Sequence, residues 1–121
     1  MSQTLETRTE VITLGDDGVI RCRVKPTEAH TLEDAVENVR ATAGLVGGRR
    51  APFLLDARAA TGISREARLY YTGPENAKVV LATAMLIGSP AGRIIGNFFI
   101  RVNQPRFPFR LFTEEAAALI W

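Results

Sequence analysis

Residues 52–88, PFLLDARAATGISREARLYYTGPENAKVVLATAMLIG, hold two apolar runs with a capped helical segment between them. PFLLD (52–56) is too short for anything but a buried strand, and its unbroken apolar character suits a strand covered on both faces. KVVLATAMLIG (78–88) is β-branched at its start and apolar throughout, which predicts a second buried strand, central in a sheet. Between them Ser64 is placed to cap a short helix, REARLYY, which Thr72-Gly73-Pro74 ends. Strand, helix, strand in that order implies parallel pairing through a crossover.

The flanking segments extend the pattern. EVITL (10–14) and GVIRCRVK (18–25) are strand-like runs separated by a GDD turn between Gly15 and Gly18, a hairpin signal. In PTEAHTLEDAVENVRATAGLVGG, Thr31 is a good N-cap, Glu33 and Asp34 favour the first turn, and Gly47-Gly48 stop the helix. Leu32, Ala35, Val36, Val39, Ala43 and Val46 fall on one stripe at helical spacing. SPAGRIIGNFFIRVN predicts a helix capped by Ser89 with Pro90 at its first position and a stripe of Ala91, Ile94, Ile95, Phe98 and Val102. FPFRLF (107–112) reads as a short strand, and Thr113 as the cap of a final helix, EEAAALIW. The expected fold is α/β: a mixed sheet of about five strands with an antiparallel start, parallel crossovers after it, and about four helices.

Composition narrows the class. A chain of 121 residues fits one domain, spanning 1–121, and 46% hydrophobic with 23% charged residues is ordinary for a soluble globular protein. A net charge of +2 is too small to argue for nucleic acid, and the 13 arginines against 2 lysines are dispersed along the chain. Arginines interleaved with aromatics in NQPRFPFRLF are explained better by a strand with one covered face than by a single-stranded nucleic acid site. The N-terminus has no apolar stretch of signal-peptide type, and the run Val79–Gly88 is about half of what spans a bilayer. No membrane association and a cytoplasmic location are therefore expected. Cys22 is alone, which excludes an internal disulfide and a cysteine zinc site, and alternation in VIRCRV places it as a small buried hydrophobe. The single His30, in a loop before a helix, has no second ligand nearby in the sequence for a metal.

The succession of elements resembles the STAS/SpoIIAA-like fold, known from bacterial anti-sigma-factor antagonists and the tails of sulfate transporters. More narrowly, PFLLDAR, SREARLYYTG, SPAGRIIGNFF and PFRLFTEEAAALIW resemble a family of small bacterial STAS-like proteins of unassigned function. In the antagonists an acid ends the third strand, and an Asp-Ser pair whose serine is phosphorylated heads the next helix. Laying Asp56 on that acid puts Ser64 at the Asp and Arg65 at the phosphoserine, so the phospho-switch carries over only if the register slips by one.

Two groups of residues are candidates for function. The first is Asp56, Arg58, Ser64, Arg65, Arg68 and Tyr71. Asp56 stands at the carboxyl end of a parallel strand, where open α/β sheets bind ligands, and Ser64 opens a helix N-terminus flanked by guanidinium groups suited to an anion. The competing reading makes Asp56 an Asx-type bond or an ion pair with Arg58, and the helix a capped surface element. The second group lies on the Ser89 helix: Arg93, Asn97 and Arg101 form a polar stripe, Gly96 permits close backbone approach, and Phe99 or Ile100 is left to meet a partner. Without a nucleophile–base pair, metal cluster or Gly-rich phosphate loop, the expectation is a non-enzymatic, cofactor-free regulatory or interaction module. It would act through protein contacts, as a homodimer or with a protein partner. The alternative is binding of an anionic or amphipathic small molecule between the Asp56 loop and the Ser64 helix.

Overall fold

The computed structural model describes residues 3–88, 90–98, 100–101 and 104–121. The strands are β1 (Gln3–Glu6), β2 (Glu10–Leu14), β3 (Ile20–Val24), β4 (Ala51–Asp56), β5 (Val80–Leu86) and β6 (Phe109–Phe112). The helices are α1 (Leu32–Val46), α2 (Arg65–Tyr71), the single turn α3 (Pro74–Ala77), α4 (Pro90–Phe98) and α5 (Glu115–Ile120). One mixed sheet runs in the order β1-β2-β3-β4-β5-β6, antiparallel through β3 and parallel beyond it.

This order has a steric consequence. The three crossovers β3–α1–β4, β4–α2–α3–β5 and β5–α4–β6 all step the same way across the sheet. Right-handed connections that advance in one direction place their helices on one face. That front face carries the row Ile12, Cys22, Leu55, Met85, Leu111, in register across five strands. Among the described residues, the back face, with Leu54, Ala84, Leu86 and Phe112, is covered by α5, through Ala118.

The opening hairpin turns where the glycines demand it: Gly18 has φ of 81° and its N–H donates to Gly15 O. β1 is a sixth strand that the sequence reading does not contain. All four of its residues are exposed, so it has no hydrophobic alternation to read, and it is held by its ladder to β2. The turn α3 is likewise an addition. At the other end, Glu114 rather than Thr113 is the N-cap of α5, and its side chain makes no capping bond.

Helix α1 begins in a capping box, with Thr31 Oγ1 accepting from Asp34 N and the Asp34 carboxylate accepting from Thr31 N. It ends at Gly47, whose φ of 63° is left-handed. The face it buries differs from the expected stripe. Ala35, Val39 and Val46 face the sheet, but Leu32 and Ala43 are exposed, and Asp34, Asn38 and Thr42 are buried in their place. The helix is rotated toward the polar loop Thr7-Arg8-Thr9, which supplies hydrogen-bond partners for Asp34 and Asn38, while the Thr42 hydroxyl donates to Asn38 O within the helix.

In α4, Ile95 turns inward onto Val24 and Met85, whereas Ile94 of the expected stripe is 59% exposed. Gly96 faces its own sheet, since a Cβ there would lie 2.5 Å from Leu111 Cδ2. The close approach it permits is therefore between α4 and β6. The Ser89 cap, Phe99, Val102 and the side chains of Ala91 and Phe98 lie outside the described residues.

Candidate ligand-binding site

A cavity of about 90 Å³ opens between the front face and the helices. Its floor is Cys22, Val24, Phe53, Leu55, Thr83, Met85 and Phe109, all front-face positions of β3 to β6. Ile95, Phe107 and the small residues Ala57, Ala60 and Gly62 close its sides. It thus lies toward the carboxyl ends of the parallel strands, the usual ligand position in such sheets. The loop after β4 is held there by the connection into α1. His30 N donates to Gly62 O at 3.1 Å, Ser64 N to His30 O at 2.9 Å, and Thr61 Oγ1 to Thr27 O at 2.8 Å.

One wall is polar. Asn38 Oδ1 accepts from Thr7 Oγ1 at 2.5 Å, and Asn38 Nδ2 donates to Thr9 Oγ1 at 3.0 Å and to the Tyr71 hydroxyl at 2.9 Å. That hydroxyl in turn lies 3.3 Å from His30 Nδ1. Above this chain Arg8 forks onto Asp34, with Nε donating to Oδ1 at 2.7 Å and an Nη–H to Oδ2. The fork and the capping hydrogen bonds hold the Asp34 carboxyl well below its ordinary range. Asp34 and Asn38 therefore tie α1 to the β1–β2 loop, and Asn38 and Thr42 line the cavity.

Glu10, 5% exposed, lines the same cavity from the start of β2. Burial raises its carboxyl to about 7, against a smaller opposing hydrogen bond from the Cys22 thiol. Burial also pushes the Cys22 thiol and the Tyr71 phenol upward and the His30 imidazole downward. All four groups are driven toward their uncharged forms. The cavity can accept an apolar body and offer it neutral hydrogen-bonding groups; a thiol held protonated is a poor nucleophile.

The residues singled out from the sequence are dispersed. Asp56 alternates with Leu55 and so shares the back face with Leu54, away from the cavity. It takes the ion-pair role: Arg58 Nε and Nη2 donate to its oxygens at 2.9 and 2.7 Å, and the Arg58 N–H donates at 3.2 Å. This pair lowers the Asp56 carboxyl. Ser64 Oγ accepts from Ala67 N as an N-cap, Arg65 is exposed, and Arg68 Nη1 donates to Ile63 O. Among the first group only Tyr71 reaches the cavity. In the second group Arg93, Ile100 and Arg101 are exposed and Asn97 is half-buried. Sequence reasoning missed Glu10, His30 and Asn38. The polar row Asp34, Asn38, Thr42, at i, i+4 and i+8 of one helix, was the available signal.

A family model described as a domain of unknown function, DUF7793, matches residues 13–121. Among solved structures, an uncharacterized DUF3478-family protein with a SpoIIAA-like fold from Shewanella loihica PV-4 is 15% identical. It aligns over 100% of this chain and 91% of its own, with a TM-score of 0.55. A protein with unknown function from Arthrobacter sp. FB24 is 32% identical, over 97% of this chain and 94% of its own, with a TM-score of 0.39. No curated protein matches the sequence. The likeness to the Shewanella protein shows the fold to be SpoIIAA-like, as the order of motifs had implied. No helix among the described residues is long and apolar enough to cross a membrane.

Proposed function

The chain belongs to the DUF7793 family, and we propose that it is a non-enzymatic module that binds a small molecule in the front-face cavity. The observation that carries this reading is the cavity itself, apolar on its floor and backed by a buried polar chain from Thr7 to His30. Pockets that bind ligands combine apolar walls with a few placed polar groups. A Cys22 thiol held protonated favours holding a ligand over attacking it.

Filling the mouth tests the reading. Ala60→Leu places three more carbons against the lining while leaving the hydrogen-bonded loop intact. In a thermal-shift screen of small amphipathic compounds, hits should stabilise the natural protein and lose that effect in A60L. Equal responses from both proteins would mean that the compounds bind elsewhere.

Self-association is a second reading, favoured by the exposure of Ile94 at 59% and Ile100 at 37% beside Arg93 and Arg101. Light scattering should then give a dimer that Ile94→Asp converts to a monomer. A natural protein that is monomeric at high concentration would refute it.

A further inference from the structure

The hydrogens along the polar wall can be assigned one by one. Asn38 has two amide hydrogens, and Thr9 Oγ1 and the Tyr71 hydroxyl receive them. A phenol oxygen that accepts from Asn38 still has its own hydrogen to donate, and we take His30 Nδ1, 3.3 Å away, as the acceptor. Burial keeps the imidazole neutral. A neutral imidazole that accepts at Nδ1 carries its single proton on Nε2. His30 is 7% exposed and lines the cavity, and among the described residues its buried Nε2 has no hydrogen-bond partner. An unmet donor at such a site costs free energy until an acceptor arrives.

We propose that the cavity takes a small uncharged compound whose carbonyl oxygen accepts a hydrogen bond from His30 Nε2–H and whose apolar body rests on Phe53, Leu55, Met85 and Phe109. The inference rests on the cavity-binding reading above and adds the chemical class. The burial that drives the lining groups toward their neutral forms disfavours a charged guest as well, and an ammonium group would in addition present a donor to a donor. At about 90 Å³ the space admits only a compact compound of a few carbons.

The protein has one histidine, so 15N-histidine labelling gives a single imidazole to follow by NMR. The expected free state carries its proton on Nε2. Cyclopentanone should then bind at least about fivefold tighter than methylenecyclopentane, its hydrocarbon counterpart, and shift the Nε2–H resonance saturably. His30→Phe should erase the preference for the ketone while still admitting the hydrocarbon. Tyr71→Phe, which keeps the ring, should weaken the preference by mixing the two tautomers, and it serves if H30F does not fold. A proton found on Nδ1, equal binding of the two compounds, or stronger binding of cyclopentylamine would overturn the inference. If methylenecyclopentane binds without a ketone preference, the chemical class is wrong and the cavity reading stands. If neither compound nor xenon enters, both are wrong.

Discussion

Replacing Glu10 with glutamine should change how stability depends on pH, because glutamine is a permanent stand-in for the neutral acid. In the folded protein the carboxyl titrates near 7, against an ordinary value of 4.5. Between those values the native state holds a proton that the unfolded state has released, so unfolding becomes easier as pH rises. The stabilising contribution is complete below about 4.5 and is lost as pH climbs through 7. A separation of about 2.5 units at ~1.4 kcal/mol each gives about 3 kcal/mol in all, most of it between pH 5 and 8. His30 works in the opposite sense: its lowered value makes stability rise with pH toward 6.5. Subtracting E10Q from the natural protein cancels that contribution, since both carry His30. The aspartates Asp17, Asp34 and Asp56 are lowered and titrate below this window. Urea denaturation followed by far-UV circular dichroism at pH 5, 6, 7 and 8 reads the difference directly. We expect the natural protein to lose about 2–3 kcal/mol relative to E10Q over that range, with E10Q the more stable at pH 8. Parallel curves would show that the carboxyl is well solvated and that the cavity beside it is wet.

Asp34→Asn keeps the shape of the side chain but removes the charge that Arg8 and Thr31 meet; a loss of about 1–2 kcal/mol is expected at pH 7 by thermal denaturation. Because the Asp34 carboxyl is lowered, its contribution is present above 3.8 and lost as pH falls, so the deficit of D34N should narrow in acid. Asp56→Asn should cost no more than about 1 kcal/mol, since Arg58 is 52% exposed, and should leave cyclopentanone binding unchanged. A chain ended after Thr113 loses α5 and uncovers Leu54, Ala84 and Leu86, each at most 5% exposed when α5 is present. Binding of a hydrophobic dye and lowered denaturation midpoints should follow; unchanged values would mean that α5 adds nothing to the core.

The parts of the fold that were legible are those governed by local rules. Thr31 capped α1, Gly47 ended it, Gly18 turned the hairpin, and the apolar runs at PFLLD and VVLATAML became interior strands. The order of elements was enough to imply the SpoIIAA-like fold. Strand β1 was not legible, because an exposed edge strand is stabilised by backbone pairing that leaves no pattern in its side chains. The candidate site was less legible still. Asp56 and Ser64 looked chemical because they sit at a strand end and a helix start, and those positions account for both residues through Arg58 and Ala67 N. Asn38 and Glu10 were not singled out, because their partners lie 29 to 33 residues away along the chain or, for Glu10, across the hairpin in Cys22. A hydrophobic stripe can be read from one helix alone. A polar row is recognised as buried only when the loop that satisfies it is known.

The sequential order of the strands also sets how the molecule can assemble. Every strand pairs with the strand before it in the chain, so each closure spans a single hairpin turn or a single crossover connection. A chain emerging from its N-terminus can lay down the β1–β2–β3 meander, dock α1 on it through Thr7 and Asn38, and add one crossover at a time. By Phe109 every wall of the cavity has been made. The back face waits for Glu115–Ile120, so Leu54, Ala84 and Leu86 stay uncovered longer than any other part of the core. The interval between finishing the cavity and covering that face is when a growing chain is most exposed to aggregation, and α5 is the element that ends it.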